Sequence, residues 1–165
     1  MYEVFEHTAD LGLRIRAKDL ATLFQEAGRA LFSVIVENLD AVSKQEARCL
    51  ELENQHLEYL FFDWLNQLLY LFDAHHLILS DFQVCITMPR RRASDQEAEP
   101  LVRTPTVGAS SVEDQVCWHL LAEVRGEKLD RQRHLLDHEV KAITYHGLKV
   151  EETAEGWLAE VIVDI

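Results

Sequence analysis

Alternating and helical patterns of hydrophobic residues divide the chain into strands and helices in a definite order. Alternation with a period of two predicts strands at residues 2–5, 11–17, 47–53, 82–88 and 118–124. Apolar residues at helical spacing predict one helix from a cap at Asp19 to about residue 37, and a second over residues 55–74 with Asn54 as its cap. This order, with the later strands joined mostly by hairpins, predicts an α+β fold with two helices packed on a largely antiparallel β-sheet.

Residues 140–165 are predicted to form a closing hairpin whose second strand runs to the last residue. Trp157, Ala159 and Val161 fall on one face of that strand, as a period of two requires. Because the pattern continues to the end, we expect Asp164 and the terminal carboxylate of Ile165 to be held in place. Two adjacent carboxylates repel each other, and a bound cation would offset that repulsion.

Large apolar residues become scarce between residues 89 and 115. Such a segment cannot repay its ordering entropy, so we predict a flexible insertion between the two arms of a hairpin, 82–88 and 118–124. The whole chain, 1–165, is then one domain. The basic run at 90–92 is either a solvated part of this loop or a contact for RNA or a partner.

The net charge of the chain indicates which kinds of molecule it can bind. The formal net charge of −13 repels phosphate, so no tight direct binding of nucleic acid is expected, whereas a basic protein partner or a bound cation suits it. The acidic N-terminal stretch predicts no signal peptide, and no apolar run is long enough for a membrane span. Three widely spaced cysteines are typical of buried free thiols in a reducing cytoplasm, where we place the protein.

Histidines at helical spacing offer one candidate metal site. His134 and His138 are four residues apart, which suits zinc, but the short sequence around them lacks further ligands. No glycine-rich phosphate loop and no nucleophile motif is present. Zinc is therefore the less favoured interpretation.

Carboxylates at strand ends offer a second candidate metal site. Asp10 opens one predicted strand, and Asp164 with the Ile165 carboxylate closes another. If these strands are neighbours, their oxygens favour calcium or magnesium, although an aspartate at a strand end is more often a turn former. His7 and His146 are near these motifs, and either could donate a hydrogen bond to a ligating carboxylate.

Four motifs in order carry a resemblance to a known family: EHTADLGL at 6–13, WLNQLLYLFD at 64–73, VKAITYHGL at 140–148 and GWLAEVIVDI at 156–165. The sequence resembles the archease family over its whole length. The segment 89–115 departs from the compact family pattern as an apparent insertion.

The resemblance implies a protein cofactor and not an enzyme. Archeases activate the RtcB-type tRNA-splicing ligase, which joins 2′,3′-cyclic-phosphate or 3′-phosphate RNA ends to 5′-hydroxyl ends. They promote ligase guanylylation and repeated turnover in tRNA splicing and RNA repair. By resemblance, Asp10, Asp164 and the Ile165 carboxylate bind calcium. Lys141 contacts a phosphate or the partner, or is simply a solvated strand lysine.

Two other functions remain open from the sequence. Asp10 and Asp164 could hold a divalent ion that activates water in a metal-dependent phosphoesterase. The apolar second helix could instead serve a chaperone-like interaction protein.

Overall fold

Two antiparallel sheets and two helices make up the part of the chain that the computed structural model describes, residues 1–7, 10–88 and 117–165. The elements are β1 Tyr2–His7, β2 Asp10–Ala17, α1 Leu20–Ile35, β3 Glu46–Asn54, α2 Leu57–His75, β4 Leu77–Thr87, β5 Trp118–Lys128, β6 Ala142–Thr153 and β7 Gly156–Asp164. The α+β prediction is confirmed, but the strands form two sheets, ordered β1-β2-β7-β6 and β3-β5-β4. The predicted insertion at 89–115 lies outside the described residues.

Helix α1 begins where the sequence predicts. The Asp19 side chain accepts hydrogen bonds from the backbone N–H and the hydroxyl of Thr22, both 2.8 Å long, and these bonds lower the pKa of Asp19. The helix ends at Ile35, slightly earlier than predicted, because Val36 is already extended and bridges to Leu136.

Helix α2 begins later than predicted, and Asn54 is not its cap. Asn54 is the last residue of β3. Its oxygen accepts from the backbone N–H of His56, and its side-chain amide donates to Asp63 over 2.9 Å. His56 occupies the capping position without a side-chain capping bond. The other end of the helix closes at His76, whose φ of 54° gives a left-handed cap.

Both arms of the predicted β4–β5 hairpin are longer than the sequence pattern shows. Their pairing, for example Thr87 with His119, confirms the hairpin. β4 starts at Leu77 because its first residues are buried in an unbroken apolar run instead of alternating. β5 continues to Lys128, four residues beyond the predicted end at residue 124. At Gly126 the Ile78 carbonyl occupies the space where a Cβ would lie.

The two helices join the sheets into one core. α1 packs against β2 and β4, and α2 packs against β6 and β3. The Trp64 indole N–H donates to the Phe24 carbonyl oxygen over 2.9 Å, which satisfies a polar atom that burial would otherwise leave unpaired. One face of the β1-β2-β7-β6 sheet, including Leu13, Ile15 and Val161, is therefore covered, and the polar side chains of β2 and β7 lie on the other.

Candidate functional site

The register between β2 and β7 places the two predicted metal-binding aspartates side by side. The β2–β7 ladder ends with Leu11 paired with Val163. Continuing this register by one residue sets Asp10 opposite Asp164. Directly opposed residues in antiparallel strands have Cβ atoms about 4.5–5.5 Å apart and project to the same face. Both aspartates are half-buried. The first and last motifs of the chain therefore meet at one end of the sheet.

Strand β6 fixes the end of the chain from the other side. Ala142 pairs with Asp164, and the Lys141 backbone N–H donates to the Asp164 carbonyl over 2.8 Å. The Lys141 ammonium donates to the Ile165 main-chain oxygen over 3.0 Å. Backbone and side-chain hydrogen bonds therefore hold Asp164 and Ile165, and the Lys141 ammonium lies beside them.

His7 lies next to the aspartates on β1. It pairs with Asp10, so His7, Asp10 and Asp164 form a row across three strands on one face, which we call the carboxylate row. The His7 Nδ1 atom is buried and has no hydrogen-bond partner among the described residues. A buried ring nitrogen without a partner is uncommon, and a bound water or ion is one of the ways in which such an atom is satisfied.

His146 reaches the same region from β6. The pairing of β6 with β7 is interrupted between Thr144 and Lys149, and the residues between them form a bulge. The His146 ring centroid lies 6.1 Å from that of His7. The structure therefore brings His7 and His146 together. The Thr144 hydroxyl nearby is a second buried polar atom without a partner in the described chain.

Strands β1 and β2 are tightly packed next to the carboxylate row. The Phe5 ring occupies the space above Gly12 where a Cβ would lie. The Arg14 guanidinium lies 5.0 Å from the Phe5 ring centroid and binds Glu160 through an Nε–Oε1 contact of 2.5 Å. This packing holds β2 rigidly against β1 and β7, so the aspartates at its end have little freedom to separate.

The donor chemistry fits a hard divalent cation. Asp10, Asp164 and the terminal carboxylate supply only oxygen, which calcium and magnesium prefer. Within the described residues, no three His, Cys, Asp or Glu side chains are placed to hold one metal ion. The two aspartate side chains would therefore need the terminal carboxylate and water to complete a coordination shell.

The zinc interpretation of His134 and His138 is not supported. His134 follows a short turn at 131–133, and neither His134 nor His138 lies in a helix. The backbone N–H of Asp130 donates to Nδ1 of His134 over 2.9 Å, and Nε2 contacts Glu127 over 3.0 Å, so both ring nitrogens are occupied. His138 is paired with Asp137.

The prediction that the three thiols are buried is also wrong, because none of them is fully buried. Cys49 and Cys85 are exposed, and Cys117 is half-buried. Cys49 and Cys85 occupy the outward-facing positions of β3 and β4, where alternation does not distinguish a small thiol from its polar neighbours.

The architecture defines a class of protein: two helices on antiparallel sheets, with a carboxylate row where the first and last motifs meet. The archease protein family model matches residues 2–165. The chain belongs to the archease family.

Known relatives agree over nearly the full length. The "Protein archease" of Pyrococcus abyssi is 35% identical, with 99% of this chain and 98% of the relative covered. That of Methanosarcina acetivorans is 33% identical, covering 99% and 95%. The solution structure of Methanobacterium thermoautotrophicum protein 1598 superposes with a TM-score of 0.72 at 24% identity, covering 99% of this chain and 98% of that one, and supports the fold.

Family membership supports a general role as a protein activator in RNA ligation and tRNA splicing, which implies an interacting protein partner. Neither helix in the described part of the chain has the length and apolar character that crossing a membrane requires.

Proposed function

We propose that this protein activates an RtcB-type RNA-splicing ligase by presenting a calcium-loaded carboxylate row to it. The activator would promote guanylylation of the ligase and its repeated turnover in tRNA splicing and RNA repair. The observation that supports the proposal is the pairing of Leu11 with Val163, which makes Asp10 and Asp164 the next residues on two neighbouring strands. A rigid fold that keeps two carboxylates together benefits from a cation there.

Asp10, Asp164 and the Ile165 carboxylate would hold the calcium ion, with magnesium as the alternative. When bound, the ion supplies a positive charge that attracts phosphate oxygens. Lys141 adds a second cation at the same end, where its ammonium already contacts the Ile165 oxygen. His7 offers an unpaired buried nitrogen beside Asp10, which can donate a hydrogen bond to a carboxylate oxygen and fix its orientation.

The charge of the rest of the molecule favours a protein partner over RNA. The net charge of −13 repels an RNA backbone, while a ligase that binds RNA must be basic around its active site. Opposite charges accelerate the encounter of two proteins and orient them. The activator therefore approaches the ligase without competing for its RNA.

The proposal is tested by measuring formation of the ligase–GMP adduct with Asp10→Asn and Asp164→Asn proteins. Each substitution keeps the side-chain shape and removes one charge of the pair. We expect both variants to remain folded and to lose most of the stimulation. Asp40→Asn is the matched control, because Asp40 is exposed in a short turn outside the row. Unchanged stimulation by both row variants would refute the proposal.

A further inference from the structure

A cleft of about 620 Å³ opens between the start of α2 and the bulge in β6. No member of the carboxylate row lines it. Its lining residues are Asn54, His56, Glu58, Tyr59, Asp63, Tyr145 and Leu148. We call it the α2 cleft. The cleft combines exposed aromatic rings with carboxylates. No lysine or arginine is among its lining residues to neutralise these carboxylates.

The aromatic wall is built by stacking. The Tyr145 ring lies on Phe62, with centroids 3.7 Å apart and ring planes inclined by 18°. Tyr59 meets Tyr145 edge-on at 5.8 Å, and His56 meets Tyr59 edge-on at 5.4 Å. Phe62 supports Tyr145 from below, yet 57% of Tyr145 and 47% of Tyr59 remain exposed. The wall is therefore rigid and open to a ligand.

The position of these residues follows from helical spacing. Tyr59, Phe62 and Asp63 are three and four residues apart, so they share one face of α2, and that face lies against β6. The β6 bulge raises Tyr145 out of the regular ladder to meet them.

The carboxylates of the cleft have free positions that can accept hydrogen bonds from a ligand. Asn54 occupies one oxygen of Asp63, and an ionised carboxylate offers about four acceptor positions. Glu58 is exposed at the rim. Desolvation, followed by the negative charge of Asp63, raises the pKa of Tyr145, so the Asp63 carboxylate acts on the phenol. A positively charged ligand suits this environment, and a phosphate does not.

An aromatic face beside a carboxylate matches one side chain better than any other. The guanidinium of arginine is planar, stacks on aromatic rings and forks onto carboxylates, whereas the ammonium of lysine is compact and strongly hydrated. A nucleobase would also stack, but the phosphates of its strand would meet Glu58 and Asp63. We propose that the α2 cleft binds an arginine side chain on the surface of a basic protein partner.

This inference rests on the proposed function only for the identity of the partner, which would be the ligase. Tyr145 and His146 are consecutive in the bulge; Tyr145 packs on α2, and His146 turns towards His7. Because β6 is the edge strand of its sheet, the carboxylate row on one face and the α2 cleft on the other meet around that edge, within reach of one partner. The cleft would supply affinity and orientation, and the carboxylate row would supply activation.

The chemistry is tested without the ligase by NMR titration of the intact protein with N-acetyl-arginine amide. N-acetyl-lysine amide and AMP serve as the competing probes. We expect saturable shifts of the Tyr145 and Tyr59 ring signals with the arginine probe. Tyr145→Leu and Asp63→Asn should each weaken its binding about three- to fivefold. Tyr70→Leu is the matched control, because Tyr70 is 54% exposed on the same helix but outside the cleft lining, and it should change binding by less than about twofold.

Asp63→Asn keeps the proposal testable if Tyr145→Leu disturbs the fold. Absence of arginine binding, equal binding of the lysine probe, preference for AMP, or binding that survives Asp63→Asn would each overturn the proposal. With purified ligase, Tyr145→Leu should weaken the complex about tenfold. If the wild-type protein does not bind the ligase at all, the proposed function fails, while the arginine titration still decides the chemistry of the cleft.

Discussion

Replacing Asp10 with asparagine should stabilise the metal-free protein, because the sheet holds Asp10 and Asp164 side by side. With charges about 5–6 Å apart, as directly opposed residues in a sheet allow, their repulsion is about 0.8 kcal/mol in water and about 3 kcal/mol at an effective dielectric constant of 20. Both side chains are half-buried, and the Lys141 ammonium at the Ile165 oxygen offsets part of the repulsion. We therefore expect a net gain of about 1 kcal/mol.

The assay is thermal unfolding, followed by circular dichroism, with a chelator and then with calcium. For a chain of this size, about 1 kcal/mol corresponds to about 2–4 °C in Tm. With the chelator, Asp10→Asn should melt higher than the wild type. Calcium should raise the Tm of the wild type, because a ligand that binds only the folded state stabilises it, and should raise that of the variant less.

Asp40→Asn, in an exposed turn, controls for the change in total charge and should not respond to calcium differently from the wild type. The reasoning is refuted if Asp10→Asn melts below the wild type with the chelator. It is also refuted if calcium stabilises the wild type and the variant equally.

Two predictions concern the fold. Hydrogen bonds from the Ser43 backbone N–H, Arg133 and His134 lower the pKa of the buried Glu127 from 4.5 to about 2. The stabilisation by the charged Glu127 is complete above the unfolded-state pKa and is lost as the pH falls from 4.5 to about 2. Since Arg133 is half exposed, we expect the free energy of unfolding to fall by about 1–2 kcal/mol over this pH range, measured by urea denaturation. This loss should be absent in Glu127→Gln. Gly126→Ala should cost about 3 kcal/mol in the same assay at neutral pH, because its Cβ would overlap the Ile78 carbonyl; a loss below about 1 kcal/mol would show that β4 can move aside.

Local patterns predicted those elements whose burial differs between their two faces. β2 and β7 alternate because one face lies on the core, and Asp19 caps α1 because its side chain reaches the backbone of Thr22. The start of β4 is buried without alternation, so periodicity could not distinguish it from a loop or a helix end. Asn54 has the right chemistry for a cap but is held in β3 by strand pairing.

The candidate site shows the same limit. The sequence supplied Asp10 and Asp164 as strand-end acids, but their proximity depends on the β2–β7 register, a long-range pairing that no local pattern encodes. The α2 cleft was missed because Tyr59 and Phe62 resembled additional core residues on an apolar helix. The cleft that they line or support also needs the bulge around Tyr145, where Gly147 has a φ of 68°, and no local pattern predicts that bulge.

The central claim is that the end of the chain serves as a metal ligand that activates the ligase. The most direct test appends one glycine after Ile165, which displaces the terminal carboxylate and leaves Asp10 and Asp164 in place. Calcium affinity, from calorimetry, and the rate of ligase–GMP formation are then measured on the same preparation. We predict that both fall together. If calcium binding and ligase activation both survive the added residue, the end of β7 is only the end of a strand.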